Sequence, residues 1–346
     1  MTGKAPDETA PEAPLGEFGA IERWLRPLAR SLPGALDLTD DAGWLALPPG
    51  RILVAAKDAM VEGRHWFPGE PPELVARKLL RVNLSDLAAM GATPVAYLLA
   101  LAVPGPHAGD WIRRFTEGLG ADQGRYGVAV LGGDTVGTDG PAMASLTLLG
   151  HAPAPSALLT RGGARPGDDV WVSGTIGDAA LSVEAGYGRF DPAALGLSAE
   201  EIAGLEARRQ LPEPRLALGR MLVGLATACA DVSDGLPADL GHIAETSGVD
   251  AELHIDLVPR SAAAGRVVAA RPDLGSIVWT GGDDYELVFT APPAAAHAIT
   301  ALSAREGIHV SRIGRIVPRA GDRGRTVLIN ADGRIIAADR AGHVHF

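Results

Sequence analysis

The residues best suited to chemistry in this 346-residue chain are aspartates, and they recur where apolar runs stop. They stand in Thr39-Asp40-Asp41, Lys57-Asp58, Gly132-Gly133-Asp134 and Asp231-Val232-Ser233-Asp234. Asp86 follows Asn83 by three residues in a stretch of helical periodicity, which puts both on one helix face. Taken one at a time, each has an ordinary explanation as turn chemistry or a helix cap. Taken together, they need more. Two unit charges 4 Å apart repel by roughly 4 kcal/mol at an effective dielectric of 20, so gathered carboxylates call for cations. Hard oxygen donors with little His or Cys among them suit magnesium, which usually binds substrate phosphates as well. The expected chemistry is therefore metal-bridged work on phosphates, provided the aspartates meet in space.

The familiar phosphate cradles are missing. The chain contains no G-x-x-x-x-G-K-[ST] and no H-R-D or D-F-G set, so neither a P-loop enzyme nor a protein kinase is expected. The nearest Gly-rich match, Ser173-Gly174-Thr175-Ile176-Gly177-Asp178, lies between a strand pattern and a helix pattern, where backbone amides can hold an anion. Lys and Arg number 31 against 42 Asp and Glu, a net charge of −11. Such a balance disfavours nucleic acid, whose binding depends on basic side chains, but not a polyanion bridged by divalent cations. The single cysteine, Cys229, excludes an intrachain disulfide and a cysteine zinc site, and reads as a buried thiol. No window is long and apolar enough to cross a bilayer, and residues 1–14 lack an apolar signal region. A cytoplasmic protein with no membrane contact and a disordered tail over 1–14 is expected.

The scaffold that must position these side chains reads as α+β. GEFGAIERWLRPLA places Phe18, Ile21, Trp24, Leu25 and Leu28 at helical spacing. RILVAAKD predicts a strand ending at Asp58, residues 73–90 a helix stopped by Gly91, and VAYLLALAVP a buried strand. A helix over 110–121 and the strands GVAVLGG and ASLTLLGHA follow. The Pro-, Gly- and Ala-rich stretch APAPSALLTRGGARPGDD suggests a first domain over 15–150 and a second over 151–346. The second begins with strand DVWVSG and a helix from Asp178, then a mostly helical insertion through 225. Strand TACADV, helix LPADLGHIAETSG and strands AELHID, SIVWTGG and DYELVFTA come next, and TVLINADGRIIAA reads as a hairpin.

These residues resemble the thiamine-monophosphate kinases, relatives of aminoimidazole ribonucleotide synthetase, formylglycinamidine synthetase, selenophosphate synthetase and the hydrogenase maturation protein HypE. The most specific match is Val82-Asn83-Leu84-Ser85-Asp86-Leu87-Ala88-Ala89-Met90-Gly91-Ala92. Others are the segments 58–65, 131–135, 231–236 and 281–287, in the same order, within a similarity running from Gly16 to Phe346. The resemblance implies a two-domain aminoimidazole ribonucleotide synthetase-like fold. Its N-terminal mixed α/β domain, which binds ATP and metal, would pair with a twin into a dimeric β-barrel, and its C-terminal domain is α/β. It implies ATP-dependent phosphorylation of thiamine monophosphate to thiamine diphosphate by direct in-line transfer, the last step in making that cofactor. Carried over by position, Asp41, Asp58, Asp86, Asp134, Asp231 and Asp234 would hold several Mg2+ ions. Lys57, Gly133, Asp134, Arg161 and Ser233 would contact ATP, and His65, Asp283 and His343 the substrate. No general base is assigned, because a phosphate oxygen is already ionised near neutral pH.

The chain departs from the family pattern at several positions. Thr39 stands for a Gly, Ala56-Lys57 for Ser-Thr, Asp283 for a Glu and His343 for an aromatic residue. Lys57 offers a positive charge in place of one metal ion. The alternatives are another ATP-dependent enzyme of this superfamily, such as aminoimidazole ribonucleotide synthetase, and a catalytically silent nucleotide-binding dimer. Selenophosphate synthetase and HypE require a reactive residue where Cys229 does not lie.

Overall fold

The structure, a computed structural model, describes residues 17–105 and 108–336. The tail 1–14 and His343 lie outside the described residues. The chain opens with α1 (Glu17–Ala20), which runs through a π-helical turn at Ile21–Leu25 into α2 (Arg26–Ala29). Then come β1 (Ile52–Val61), α3 (Pro72–Ala89), β2 (Thr93–Pro104), α4 (Ala108–Tyr126), β3 (Ala129–Thr138) and β4 (Met143–Ala152). These strands form one sheet in the order β1-β4-β2-β3, antiparallel except for the parallel β2/β3 pair.

The rest of the chain supplies β5 (Asp169–Ser173), α5 (Asp178–Gly186), α6 (Ala199–Gln210), α7 (Leu216–Leu222), β6 (Ala228–Asp231), α8 (Leu236–Ser247) and β7 (Asp250–His254). It continues with α9 (Ala262–Ala270), α10 (Ile277–Thr280), β8 (Leu287–Ala291), α11 (Ala296–Glu306), β9 (Val310–Val317), β10 (Thr326–Ile329) and β11 (Ile335–Ile336). A second sheet has the order β11-β10-β7-β9-β5-β8-β6. Mixed helices and sheets without a βαβα rhythm agree with the α+β expectation.

Helix α3 ties the two sheets together. Pro72 starts it without losing a needed amide, and Gly91 ends it at φ +66°, the left-handed conformation a helix stop favours. Its buried Leu79, Leu84 and Leu87 belong to a core that continues into Trp171, Leu287 and Phe289 of the second sheet. Helix α7 crosses α3 so closely that a Cβ on Gly219 would stand 1.9 Å from the Ala88 carbonyl oxygen. A larger residue there would push α3, and everything it carries, out of place.

Several elements differ from expectation. SIVWTGG is not a strand: Ile277–Thr280 form α10, all four buried, and the Thr280 hydroxyl donates to the Ser276 carbonyl. A run of four apolar residues is compatible with either structure, and burial from every side removes the periodicity that would separate them. The strand expected over DYELVFTA starts only at Leu287, since Asp283 and Tyr285 take positive φ. Helices α9 and α11 and strand β9 carry no expectation from the sequence. Phe18 is 83% exposed, so it does not share the buried stripe of Leu25 and Ala29.

Candidate active site

Asp58, Asp86 and Asp231 meet, although they belong to the two sheets and the helix between them. Asn83 does part of the positioning. Its side-chain Nδ2 donates to the Leu79 carbonyl at 2.9 Å, and its Oδ1 accepts the Asp58 backbone N–H at 3.1 Å, fastening β1 to α3. Two residues further along α3, the Ser85 hydroxyl donates to Asp231 Oδ2 at 2.8 Å, fastening β6 to the same helix. Asp86 follows Ser85 directly and lies close to both Asp58 and Asp231. Burial, then the charges of Asp231 and Asp58, pushes its carboxyl up to about 8. Burial also raises Asp231 to about 6, against the Ser85 hydrogen bond, and raises Asp58. Three carboxylates that resist ionising together are the donor set a hard divalent cation would relieve.

Neither Asp58 nor Asp134 ends a strand, as the sequence pattern suggested; both sit within strands, β1 and β3, at the two edges of the first sheet. Edge strands tolerate charge that a central strand would not. Asp231 does end β6.

The turn after β6 faces the turn before β8. Asp283 N–H donates to the Ser233 carbonyl at 2.8 Å, and Tyr285 N–H to the Val232 carbonyl at 2.9 Å. Asp283 (φ +65°) and Tyr285 (φ +51°) hold left-handed conformations that cost side-chain-bearing residues on the order of 1–3 kcal/mol each. Asp283 is fixed further by Lys78 of α3, whose buried Nζ lies 2.7 Å from Asp283 Oδ2 and 3.3 Å from the His65 carbonyl. His65 Nδ1 accepts the Val61 N–H at 3.0 Å, which leaves the ring proton of the neutral imidazole on Nε2. Two expected substrate contacts, His65 and Asp283, are thus joined through one buried ammonium. Asp234 and Ser233 donate their N–H groups to Asp239 Oδ2, each at 3.0 Å. Burial, with the charges of Asp231 and Asp234, lifts Asp239 to about 8.

Asp41 and Asp134 line a second cleft with Asp40, Gly133, Leu98 and Thr135, a cavity of about 220 Å³. The sheet register runs Ala59–Ser145–Ala100–Asp134 across the four strands, so about 14 Å of sheet separates the Asp58 and Asp134 backbones. Lys57 lies on the sheet face of Ser145 and Thr147, donating to the Ser145 hydroxyl at 2.7 Å, while Asp58, next in the strand, turns toward α3. Arg161, exposed, acts electrostatically on both Asp86 and Asp231.

Lys78, Ser85, Asn83 and Tyr285 sit in this constellation without a role assigned from sequence. A lysine inside an apolar helix was the available signal for Lys78. Burial, together with the charges of Asp283, Asp58, Asp231 and Asp86, raises the Tyr285 phenol, which marks it as a wall of the cleft. The Gly-rich segment 173–178 is not an open phosphate cradle. Gly177 N–H donates to Asp284 Oδ1 at 2.8 Å, and a Cβ on Gly174 would strike the Glu286 carboxylate. Burial alone would raise Glu286, but Arg215 and Arg208 hold it below its ordinary value. The protein's own carboxylates fill that loop.

Two family models cover most of the chain: AIR synthase related protein, N-terminal domain, over residues 39–152, and its C-terminal domain over residues 165–326. Among curated relatives, the thiamine-monophosphate kinase of Caulobacter vibrioides is 43% identical over 98% of this chain and 94% of its own length. The enzyme of that name from Salmonella typhimurium is 39% identical over 73% of this chain and 76% of its own length. The crystal structure of thiamine-monophosphate kinase from Stenotrophomonas maltophilia K279a matches with a TM-score of 0.79 and 37% identity, over 93% of this chain and 98% of that one. AaThiL complexed with AMPPCP and TMP matches with a TM-score of 0.72 and 27% identity, over 98% and 100%. The chain belongs to the thiamine-monophosphate kinase family, within the AIR synthase related proteins.

Proposed function

We infer that this chain transfers the γ-phosphoryl group of ATP to thiamine monophosphate, making thiamine diphosphate. The observation that carries the reading is the meeting of Asp58, Asp86 and Asp231, drawn from both sheets and α3. Relatives bearing this activity in their name span nearly the whole chain, and one solved relative is a complex with AMPPCP and TMP.

Both reactants are anions, so the obstacle is their approach. The oxygen-rich, charge-strained donor set fits magnesium, which Asp41, Asp58, Asp86, Asp134, Asp231 and Asp234 would hold and which would supply neutralisation of phosphate charge. Arg161, already facing Asp86 and Asp231, stands ready to pair with a nucleotide phosphate. Lys57 adds positive charge on the sheet face nearer Asp134, and the Gly133 and Ser233 backbones border the same nucleotide region. His65, its ring held by the Val61 N–H at Nδ1, binds the acceptor phosphate rather than removing a proton. Asp283, oriented by Lys78, contacts the organic part of the acceptor. No side chain has to remove a proton, because the attacking phosphate oxygen is already ionised.

The reading includes a homodimer formed through the outer face of the first sheet and a cytoplasmic location, which the need for ATP favours. Among the described residues no helix is long and apolar enough to cross a membrane. Purified protein with ATP and Mg2+ should convert thiamine monophosphate and leave formylglycinamidine ribonucleotide untouched. Asp86→Asn and Asp134→Asn should each lower kcat/KM by about 10²-fold. Absence of turnover on thiamine monophosphate, or full activity in both variants, would remove the basis for the reading.

A further inference from the structure

His65 sits in a tight loop between β1 and α3. The Val61 carbonyl accepts the N–H groups of Arg64 and His65, at 3.1 and 3.0 Å, and Gly63 N–H donates to the Trp66 carbonyl at 2.8 Å. Trp66 is buried and bridged to Glu62, so residues 61–66 form one tied unit. The chain then turns through Pro68 and Gly69. Glu70 N–H donates to the Phe67 carbonyl at 3.1 Å, and Glu70 Oε1 accepts the Phe67 N–H at 3.2 Å. Arg209 of α6 closes on this turn. Its guanidinium pairs with Glu70, lies 4.8 Å from the centre of the Phe67 ring, and donates through Nε to the Ser182 hydroxyl of α5 at 3.2 Å. Both charged side chains are nearly buried, Arg209 7% exposed and Glu70 10%. The end of α5 supplies the other wall: a Cβ on Gly186 would stand 2.6 Å from the Phe67 ring, and Tyr187 meets that ring edge to face.

A buried ion pair adds little net stability, because desolvating two charges offsets their attraction. What the pair adds here is direction. A planar guanidinium can stack on an aromatic face and pair with a carboxylate at once, which neither an apolar residue nor a lysine can do. We propose that Arg209 is a positioning residue for the acceptor phosphate: from α6 it fixes the Phe67–Glu70 turn and, through that turn, the His65 side chain. Two cations from separate helices then hold the loop on either side of Trp66, Lys78 at the His65 carbonyl and Arg209 at the turn. The role rests on the kinase reading for what His65 binds. Its effect belongs to thiamine monophosphate and not to ATP, whose proposed contacts at Lys57, Gly133 and Ser233 lie outside this loop.

Steady-state kinetics on the full-length protein, with each substrate varied in turn, tests this. Arg209→Met alone leaves the Glu70 carboxylate buried without its partner. The double variant Arg209→Met with Glu70→Gln, which removes both charges, is therefore run beside it. Thermal melting followed by circular dichroism fixes an assay temperature at which the variants are folded. The double variant should raise the KM for thiamine monophosphate at least about tenfold, with a smaller change in kcat and the KM for ATP unchanged. Arg209→Lys, which keeps the charge but not the plane, should fall between wild type and Arg209→Met. A residue that served the fold alone would lower the melting temperature and leave both KM values as they were. A wild-type KM for thiamine monophosphate in the folded double variant, or equal rises in both KM values, overturns the proposal and leaves the kinase reading standing. No turnover of thiamine monophosphate by the wild-type chain overturns both.

Discussion

Burial and the neighbouring charges of Asp231 and Asp58 push the Asp86 carboxyl from its ordinary 3.8 up to about 8, and this has a consequence for stability. Between those values the folded chain keeps a proton that the unfolded chain has released. The unfolded state then binds fewer protons, so stability falls as pH rises. Asp239, lifted to about 8, and Asp231, to about 6, act in the same direction, so Asp86 carries part of the slope. Glu286 and Asp122, held low by arginines, act in the opposite sense, but only at and below the ordinary carboxylate range. Metal-free protein should therefore lose Tm as pH is raised from about 6 to about 8. Asp86→Asn should flatten that slope and melt higher than wild type at the alkaline end, by roughly 2–4 °C for each kcal/mol of relieved repulsion. Scanning calorimetry at several pH values decides it, and a wild-type Tm that climbs with pH would contradict the assignment. Lys78 makes a separate case. Its side chain is 5% exposed and that of its partner Asp283 24%. Lys78→Met should cost about 2–3 kcal/mol by leaving a carboxylate unpaired. It should also raise the KM for thiamine monophosphate about tenfold with a smaller change in kcat, as loss of an acceptor-orienting contact would. Lys78→Arg should recover most of the KM. A kcat loss with unchanged KM would mean that Lys78 acts elsewhere.

The turn Gly281–Glu286 shows how an element can carry chemistry without regular structure. Gly282 takes φ +73°, and a Cβ there would stand 2.2 Å from the Ser233 carbonyl oxygen. Gly282→Ala should cost about 1–3 kcal/mol in backbone strain, with the clash added, and should part the Ser233 turn from Asp283. Urea unfolding would measure the first effect and substrate affinity the second; an alanine variant with wild-type values of both would show the turn to be tolerant. The same turn marks the limit of what the sequence made legible. Helix α3 and the strands β2 and β4 followed from periodicity, Pro72 and Gly91, since these signals are local. The aspartates were legible as a set because of their number and spacing, and Asn83 and Asp86 because helix geometry is regular. The left-handed Asp283 and Tyr285 were not, because their conformation is imposed by hydrogen bonds to Val232 and Ser233, about fifty residues away. The α10 segment departs from its strand pattern for a related reason: burial on all sides erases amphipathic pattern. Asp284 and Glu286 filling the Gly-rich loop are likewise long-range facts.

At the scale of the molecule, α3 and α4 cover one face of the first sheet, and among the described residues apolar side chains of the other stay exposed. Leu53 is 56% exposed, Val136 51%, Leu98 41% and Met143 37%, one from each of its four strands. The register puts them on a single face, along with Lys57, Ser145 and Thr147. Apolar side chains spread over a whole sheet face are unusual for a surface that meets only water. A two-fold pairing of this face with itself would bury them all, since each patch is then its own complement. Sedimentation equilibrium should accordingly give a mass near twice the 35.7 kDa of one chain. Leu53→Glu combined with Val136→Lys, neither of which lines the Asp41–Asp134 cleft, should shift the mass to one chain with the circular dichroism spectrum kept. Because Asp134 and Lys57 sit on the same face as the substituted residues, the separated chain should also bind an ATP analogue more weakly. Wild-type protein that sediments as one chain at every concentration, or a double variant that stays paired, would place the partner of this face elsewhere.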